Sequence, residues 1–193
     1  MESGKLTFIS GGVRSGKSAY AEKLLVNEAR KNGHRLVYIA SGVSTDEEMQ
    51  KRIEKHQQDR AVEQWITIEQ PIQLEKVLPF IQRGDCVLWD CLTTWLANEM
   101  YAGWEVGKPC IEQPHCFDRK VERLFETIEE IQRIAAHFVI VSNEVLNDWP
   151  MYDASMEKFL AWIGKLHQSL VTKANTAIEM NYGIATMWKE EKL

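Results

Sequence analysis

Short runs of consecutive apolar and β-branched residues alternate along the chain with longer stretches in which apolar positions recur every three or four residues. The runs at Leu6–Ile9, Leu36–Ala40, Trp65–Glu69, Val87–Cys91 and Phe138–Ser142 lack the in–out alternation of a half-solvated strand, and they predict strands buried on both faces. Between them, Ala19–Asn32, Thr45–Arg60, Ile72–Gln82, Thr94–Tyr101 and Asp118–Ala136 predict amphipathic helices. Such alternation implies an α/β fold, a mostly parallel sheet with helices on both faces. In sheets of that kind ligands bind at the carboxyl ends of the strands, so the residues that close each strand are the candidates for function. Gly103–Pro114, with two Gly and two Pro, reads as a loop. A last helix is predicted over Asp153–Ala174, then one or two strands over Ala177–Trp188, broken near Asn181–Gly183. With no repeat, low-complexity segment or linker, residues 1–193 read as a single domain.

The first predicted strand runs into Gly11-Gly12-Val13-Arg14-Ser15-Gly16-Lys17-Ser18, and a predicted helix leaves it. This is the phosphate-binding pattern G-x-x-x-x-G-K-[ST] in its strand–loop–helix context. Gly11, Gly12 and Gly16 permit torsions that side chains forbid, so successive N–H groups can turn inward around an anion. The helix N-terminus adds partial positive charge at the same point. Lys17 reaches toward β- and γ-phosphates, and the Ser18 hydroxyl suits Mg²⁺. The chain therefore reads as a P-loop NTPase-like nucleotide-binding domain.

Composition narrows the partners. The 193 residues are 45% hydrophobic with a formal net charge of −5, so there is no basic footprint for nucleic acid. No apolar run is long enough to span a membrane, and the first residues lack a signal-peptide apolar region, which points to the cytoplasm. Four cysteines in a chain this long do not suggest a disulfide framework. Cys86 and Cys91 read as small buried residues, whereas Cys110, His115 and Cys116 match no zinc spacing and read as loop residues.

Three further strand or helix features carry chemistry. Val87-Leu88-Trp89-Asp90 ends in a carboxylate, which either helps hold Mg²⁺ or caps the helix that follows. Ser44 and Glu47 form a capping box for the helix that carries His56. Met49, Ile53 and His56 share a stripe, with Arg52 and Arg60 a turn to each side. By spacing alone His56 is a core-edge histidine or a nucleophile toward phosphate, its imidazole kept neutral by the flanking guanidiniums. Asn143-Glu144 closes the fifth strand and reads equally as a turn cap or a ligand-facing pair.

Taken together, GGVRSGKS (11–18), YIAS (38–41), DEEMQKRIEKH (46–56), WITIE (65–69), DCLT (90–93) and VSNEV (141–145) resemble, in order, the motifs of the bifunctional adenosylcobinamide kinase / adenosylcobinamide-phosphate guanylyltransferase family of cobalamin biosynthesis. The resemblance implies two activities at one nucleotide site. As a kinase, the enzyme passes the γ-phosphate of ATP or GTP to the aminopropanol hydroxyl of adenosylcobinamide. As a transferase, the histidine matching His56 attacks the α-phosphate of GTP, and the guanylyl-histidine gives GMP to the corrinoid phosphate. It also implies Lys17 as a catalytic group and Ser18 and Asp90 as Mg²⁺ ligands. Nucleotide contacts are implied at Gly11, Gly12, Val13, Arg14, Ser15, Gly16, Lys17, Ser18, Ala40, Ser41, Gly42, Gln57, Gln58, Asp59, Arg60, Glu69 and Asp90. A homotrimer is the implied assembly. Many members follow the Asn-Glu-Val motif with Gly-x-Gly-Ile-Val-Pro, where this chain has Leu146-Asn147-Asp148-Trp149-Pro150, and many have Glu at the position of Asp90. Two other readings stand beside this one: a P-loop small-molecule kinase without the covalent histidine step, and a nucleotide-dependent binding module.

Overall fold

In the computed structural model, which describes residues 3–42, 63–145 and 154–191, the apolar runs become neighbouring strands of one sheet. The strands are β1 (Lys5–Gly11), β2 (Leu36–Ala40), β3 (Ile66–Glu69), β4 (Cys86–Asp90), β5 (His137–Asn143), β6 (Thr176–Asn181) and β7 (Ile184–Glu190). They lie in the order β3-β2-β4-β5-β1-β6-β7, all paired parallel except the antiparallel β6–β7 hairpin. The hairpin turns on Tyr182 and Gly183, with φ of 52° and 80°, the left-handed pair of a two-residue turn that matches strand twist. The predicted break near Asn181–Gly183 is this turn.

Both faces of the sheet are covered. Side chains alternate across a strand, so Phe8, Val37, Ile39, Val87, Trp89, Phe138 and Ile140 enter one core while Ile9, Tyr38, Leu88, Val139 and Val141 enter the other. Helix α1 (Lys17–Asn32) closes the second core with Ala21, Leu25 and Ala29. Helices α2 (Leu92–Tyr101), α3 (Cys116–Ile134) and α4 (Ala154–Lys173) close the first with Leu96, Ile128 and Ile163. Each fully buried Leu or Ile contributes roughly 1.5–3 kcal/mol relative to exposure. The predicted α/β architecture is the one observed.

Three local expectations are corrected. The stretch Ile72–Gln82 is not an α-helix: Leu74–Phe80 winds as a 3₁₀ helix with Pro79 inside it. Proline supplies no N–H and clashes with the carbonyl four residues back, which works against α-helical winding there. The entry at Gln73 is held instead by its N–H, which donates to Glu99 Oε1 at 2.5 Å from α2. Glu99, itself buried, is paired with Lys120 of α3.

Strand β3 is not buried on both faces. Among the described residues it is the sheet edge, with Ile66 and Glu69 exposed, and β2 is its one pairing partner there.

Cys110 and Cys116 are not separate loop thiols but a disulfide, joining the turn Cys110–Glu112 to the start of α3. His115 between them is exposed, its Nδ1 3.7 Å from Asp118 Oδ2. No cluster of metal-ligating side chains occurs among the described residues, and none of the helices searched among them is long and apolar enough to cross a membrane. The predicted helix Thr45–Arg60 and the segment Leu146–Pro150 lie outside the described residues.

Candidate active site

Strand β1 delivers the phosphate loop to the carboxyl edge, and close packing dictates its glycines. A Cβ on Gly11 would stand 2.4 Å from the Met180 carbonyl oxygen and 2.7 Å from Ser15 Oγ, so the approach of β6 excludes any side chain. Gly16, which caps α1, has φ of +91°. Gly12 meets open space. The other left-handed residue of the loop is Arg14, with φ of 60°. The loop closes on itself through Ser15 N–H to Gly12 O at 3.1 Å. It is also tied on both flanks: Glu144 N–H donates to Gly11 O at 2.8 Å from the end of β5, and Gly183 N–H donates to Ser15 O at 3.0 Å from the terminal hairpin.

Within this frame Lys17 is 7% exposed, and its Nζ donates to Gly12 O at 3.1 Å. Burial pulls the ammonium below its ordinary pKa, while the Asp90 carboxylate and then Cys91 push it back up. Ser18 sits half-buried in the first turn of α1, which carries no acidic residue, so its positive end is not neutralised locally. Ser15 Oγ is buried with no hydrogen-bond partner among the described residues, a polar group of the kind that an incoming phosphate oxygen satisfies. Val13 and Arg14 face solvent.

Strand register sets out the remaining candidates. Ile9, Val141, Asp90, Ala40 and Glu69 face one another across β1, β5, β4, β2 and β3. Asp90 is thus two strands from β1, with β5 between, yet close enough for its charge to act on Lys17. Its Oδ2 accepts the Tyr38 hydroxyl at 3.2 Å. The cap of α2 is Cys91, with no side-chain cap hydrogen bond, so Asp90 does not cap that helix. Ser41 is fully buried, and its Oγ accepts Trp89 Nε1 at 2.7 Å, which turns the hydroxyl inward. Gly42 is exposed beside it, and Glu69 stands at the far, exposed edge. His56, Gln57, Gln58, Asp59 and Arg60 lie outside the described residues.

A buried polar cluster behind this edge was not evident in the sequence. Thr93 Oγ1 accepts Asn143 N–H at 2.7 Å and lies 3.3 Å from Ser142 Oγ, which is 2.8 Å from His167 Nε2. Asn98 Nδ2 spans the carbonyls of Ser41 and Pro71 at 3.0 and 3.1 Å. Burial drops the His167 imidazole to about 4, so the ring is neutral at physiological pH. The sequence signal was thin: Thr93 resembled an ordinary helix-start hydroxyl, and His167 one polar residue among many in a helix. Their partners lie 49 and 25 residues away.

This arrangement, a buried lysine within a phosphate loop and a carboxylate on a nearby strand end, is shared by many nucleotide-dependent enzymes, and comparison with known proteins narrows it. The family described as cobinamide kinase / cobinamide phosphate guanyltransferase matches residues 7–187. The chain belongs to this family. It is 32% identical over 187 residues to the bifunctional adenosylcobalamin biosynthesis protein CobP of Pseudomonas aeruginosa, covering 96% of this chain and 98% of that one. It is 29% identical over 172 residues to the bifunctional adenosylcobalamin biosynthesis protein CobU of Escherichia coli K12, covering 88% and 92% of the two chains. The flagellar accessory protein FlaH from Methanocaldococcus jannaschii superposes with a TM-score of 0.54 at 13% identity, over 99% of this chain and 80% of that one, and shares the fold alone.

Proposed function

We propose that this protein is an adenosylcobinamide kinase and adenosylcobinamide-phosphate guanylyltransferase, working through a guanylyl-histidine at His56. The observation that carries the reading is the phosphate loop with Lys17 buried within electrostatic reach of Asp90, in a chain matched from residue 7 to 187 by a family of that description.

In the kinase step the loop N–H groups and Lys17 hold the triphosphate, with the Lys17 ammonium countering charge on the departing diphosphate. In the transferase step the His56 imidazole forms a bond to the α-phosphorus as pyrophosphate leaves, and the corrinoid phosphate oxygen then displaces the imidazole. Dividing the transfer into two displacements lets one nucleotide pocket serve two acceptors in turn. Ser18 Oγ and the Asp90 carboxylate are hard oxygen donors, and a carboxylate retains lone pairs beyond the one that meets Tyr38. That donor set fits Mg²⁺, which takes one or two protein oxygens together with phosphates and water. When bound, the ion would neutralise charge on the phosphates. Support for a cytoplasmic homotrimer that acts on nucleotide and corrinoid, with no nucleic acid partner, comes from the family resemblance and the net charge of −5.

Incubation with α-labelled GTP and, separately, γ-labelled ATP or GTP plus cobinamide tests the reading. The expected results are an acid-labile, alkali-stable protein adduct that His56→Asn abolishes, and label transfer to cobinamide. Phosphate transfer without an adduct would leave a plain kinase, and nucleotide binding with neither would leave a binding module.

A further inference from the structure

Beside the phosphate loop, on the face of the sheet that carries α2, α3 and α4, an open groove of about 530 Å³ runs between α4 and the β6–β7 hairpin. It meets the carboxyl edge at Ser10 and Glu144, and Glu144 is the residue whose N–H makes the loop-anchoring bond to Gly11 O. Its floor is Phe8, with Val171 and the exposed indole of Trp188 as apolar walls and the Gln168 amide at the rim.

The charge of the lining identifies what fits. Among the described residues, the lining includes two carboxylates, Glu144 and Glu179, and no Lys or Arg. His167, the imidazole among them, is neutral because burial holds it near 4. Such a groove repels a phosphate and suits an uncharged or cationic molecule with an apolar body and amide or hydroxyl groups. Glu144 is the lining carboxylate fixed to the phosphate loop through its own backbone.

We propose that this groove is the docking site of the acceptor alcohol in the kinase reaction and that Glu144 is its proton acceptor. This rests on the kinase reading above. The acceptor oxygen bonds to the γ-phosphorus as the bond from that phosphorus to the β,γ-bridging oxygen breaks. The electron pair leaves with the nucleoside diphosphate, and the hydroxyl proton passes to the Glu144 carboxylate.

The test uses the full chain, cobinamide and γ-labelled nucleotide. Gln168→Trp and Thr172→Trp, both at exposed positions on α4, fill the groove from the rim. Each should raise KM for cobinamide by about tenfold or more while leaving the GTP Kd unchanged. Glu144→Gln should lower kcat on the order of 100-fold or more, with KM within a few-fold. Unaltered KM in both tryptophan variants, each still binding GTP, overturns the groove. Full turnover in Glu144→Gln overturns the proton acceptor. If the unmodified protein transfers no label to cobinamide from either ATP or GTP, the kinase reading itself falls and takes this proposal with it, a result read before any variant is made.

Discussion

The backbone N–H of Gly183 donates to the carbonyl oxygen of Ser15 at 3.0 Å, so the turn of the terminal hairpin braces the phosphate loop on the flank away from Glu144. Nucleotide affinity should therefore depend on a turn that carries no phosphate-binding motif. Gly183 has φ of +80°, and a side chain there costs about 1–2 kcal/mol in the left-handed region. Gly183→Val should weaken GTP binding several-fold in a fluorescence titration while the far-ultraviolet spectrum stays unchanged. An unaltered Kd would mean that the brace does not shape the loop.

Gly11→Ala is expected to be more severe than its one added carbon suggests. The new Cβ would press on a backbone carbonyl of β6 at 2.4 Å, not on a flexible side chain. Overpacking of that kind costs roughly 1–3 kcal/mol, and relief requires the loop to move. Thermal unfolding should show a lower Tm and nucleotide titration a weakened complex. Gly12→Ala, facing open space, is the control and should leave Tm close to that of the parent.

Lys17→Ala should lower both half-reactions by about 100-fold or more, the loss typical when one charge-stabilising donor is removed. Separate assays of adduct formation and of phosphate transfer check this. A variant that keeps either activity near the parent level would place that reaction elsewhere than the loop.

Acid should destabilise the protein through His167. The unfolded chain binds a proton at this ring from its ordinary value of 6.5 downward, whereas the folded chain resists until about 4. The contribution is thus complete above pH 6.5 and is lost as pH falls toward 4, on the order of 3 kcal/mol across the window. Glu28, held below the usual carboxylate range by its hydrogen bond to His137, extends the loss to lower pH. Thermal melts at pH 7 and pH 5 should show the drop, and His167→Gln should flatten it. A parent Tm that is flat over that range would contradict the buried neutral ring.

The parts of this molecule legible in its sequence were those governed by local rules. Apolar runs marked the parallel strands, and Gly16-Lys17-Ser18 marked the loop, because backbone torsion and charge are written in adjacent residues. Strand order was not legible. Alternation predicts parallel crossovers but not that β5 lies between β1 and β4, which sets Asp90 two strands from β1. Ile72–Gln82 had helical spacing, but Pro79 prevailed locally. The edge position of β3 and the disulfide between Cys110 and Cys116 depend on what the rest of the chain brings nearby. The same holds for Thr93, Ser142 and His167, whose hydrogen bonds join distant segments.

The aligned row of Ile9, Val141, Asp90, Ala40 and Glu69 acts as a ruler along the working edge of the sheet. Four inter-strand steps at about 4.8 Å separate its ends, roughly 19 Å in all. A phosphorus atom seated over β1 is out of reach of a carboxylate rooted on β3, so Glu69 should govern which purine is accepted and not how fast bonds break. Competition between GTP and ATP in Glu69→Ala reads this division of labour: base preference should shift while turnover at saturation persists.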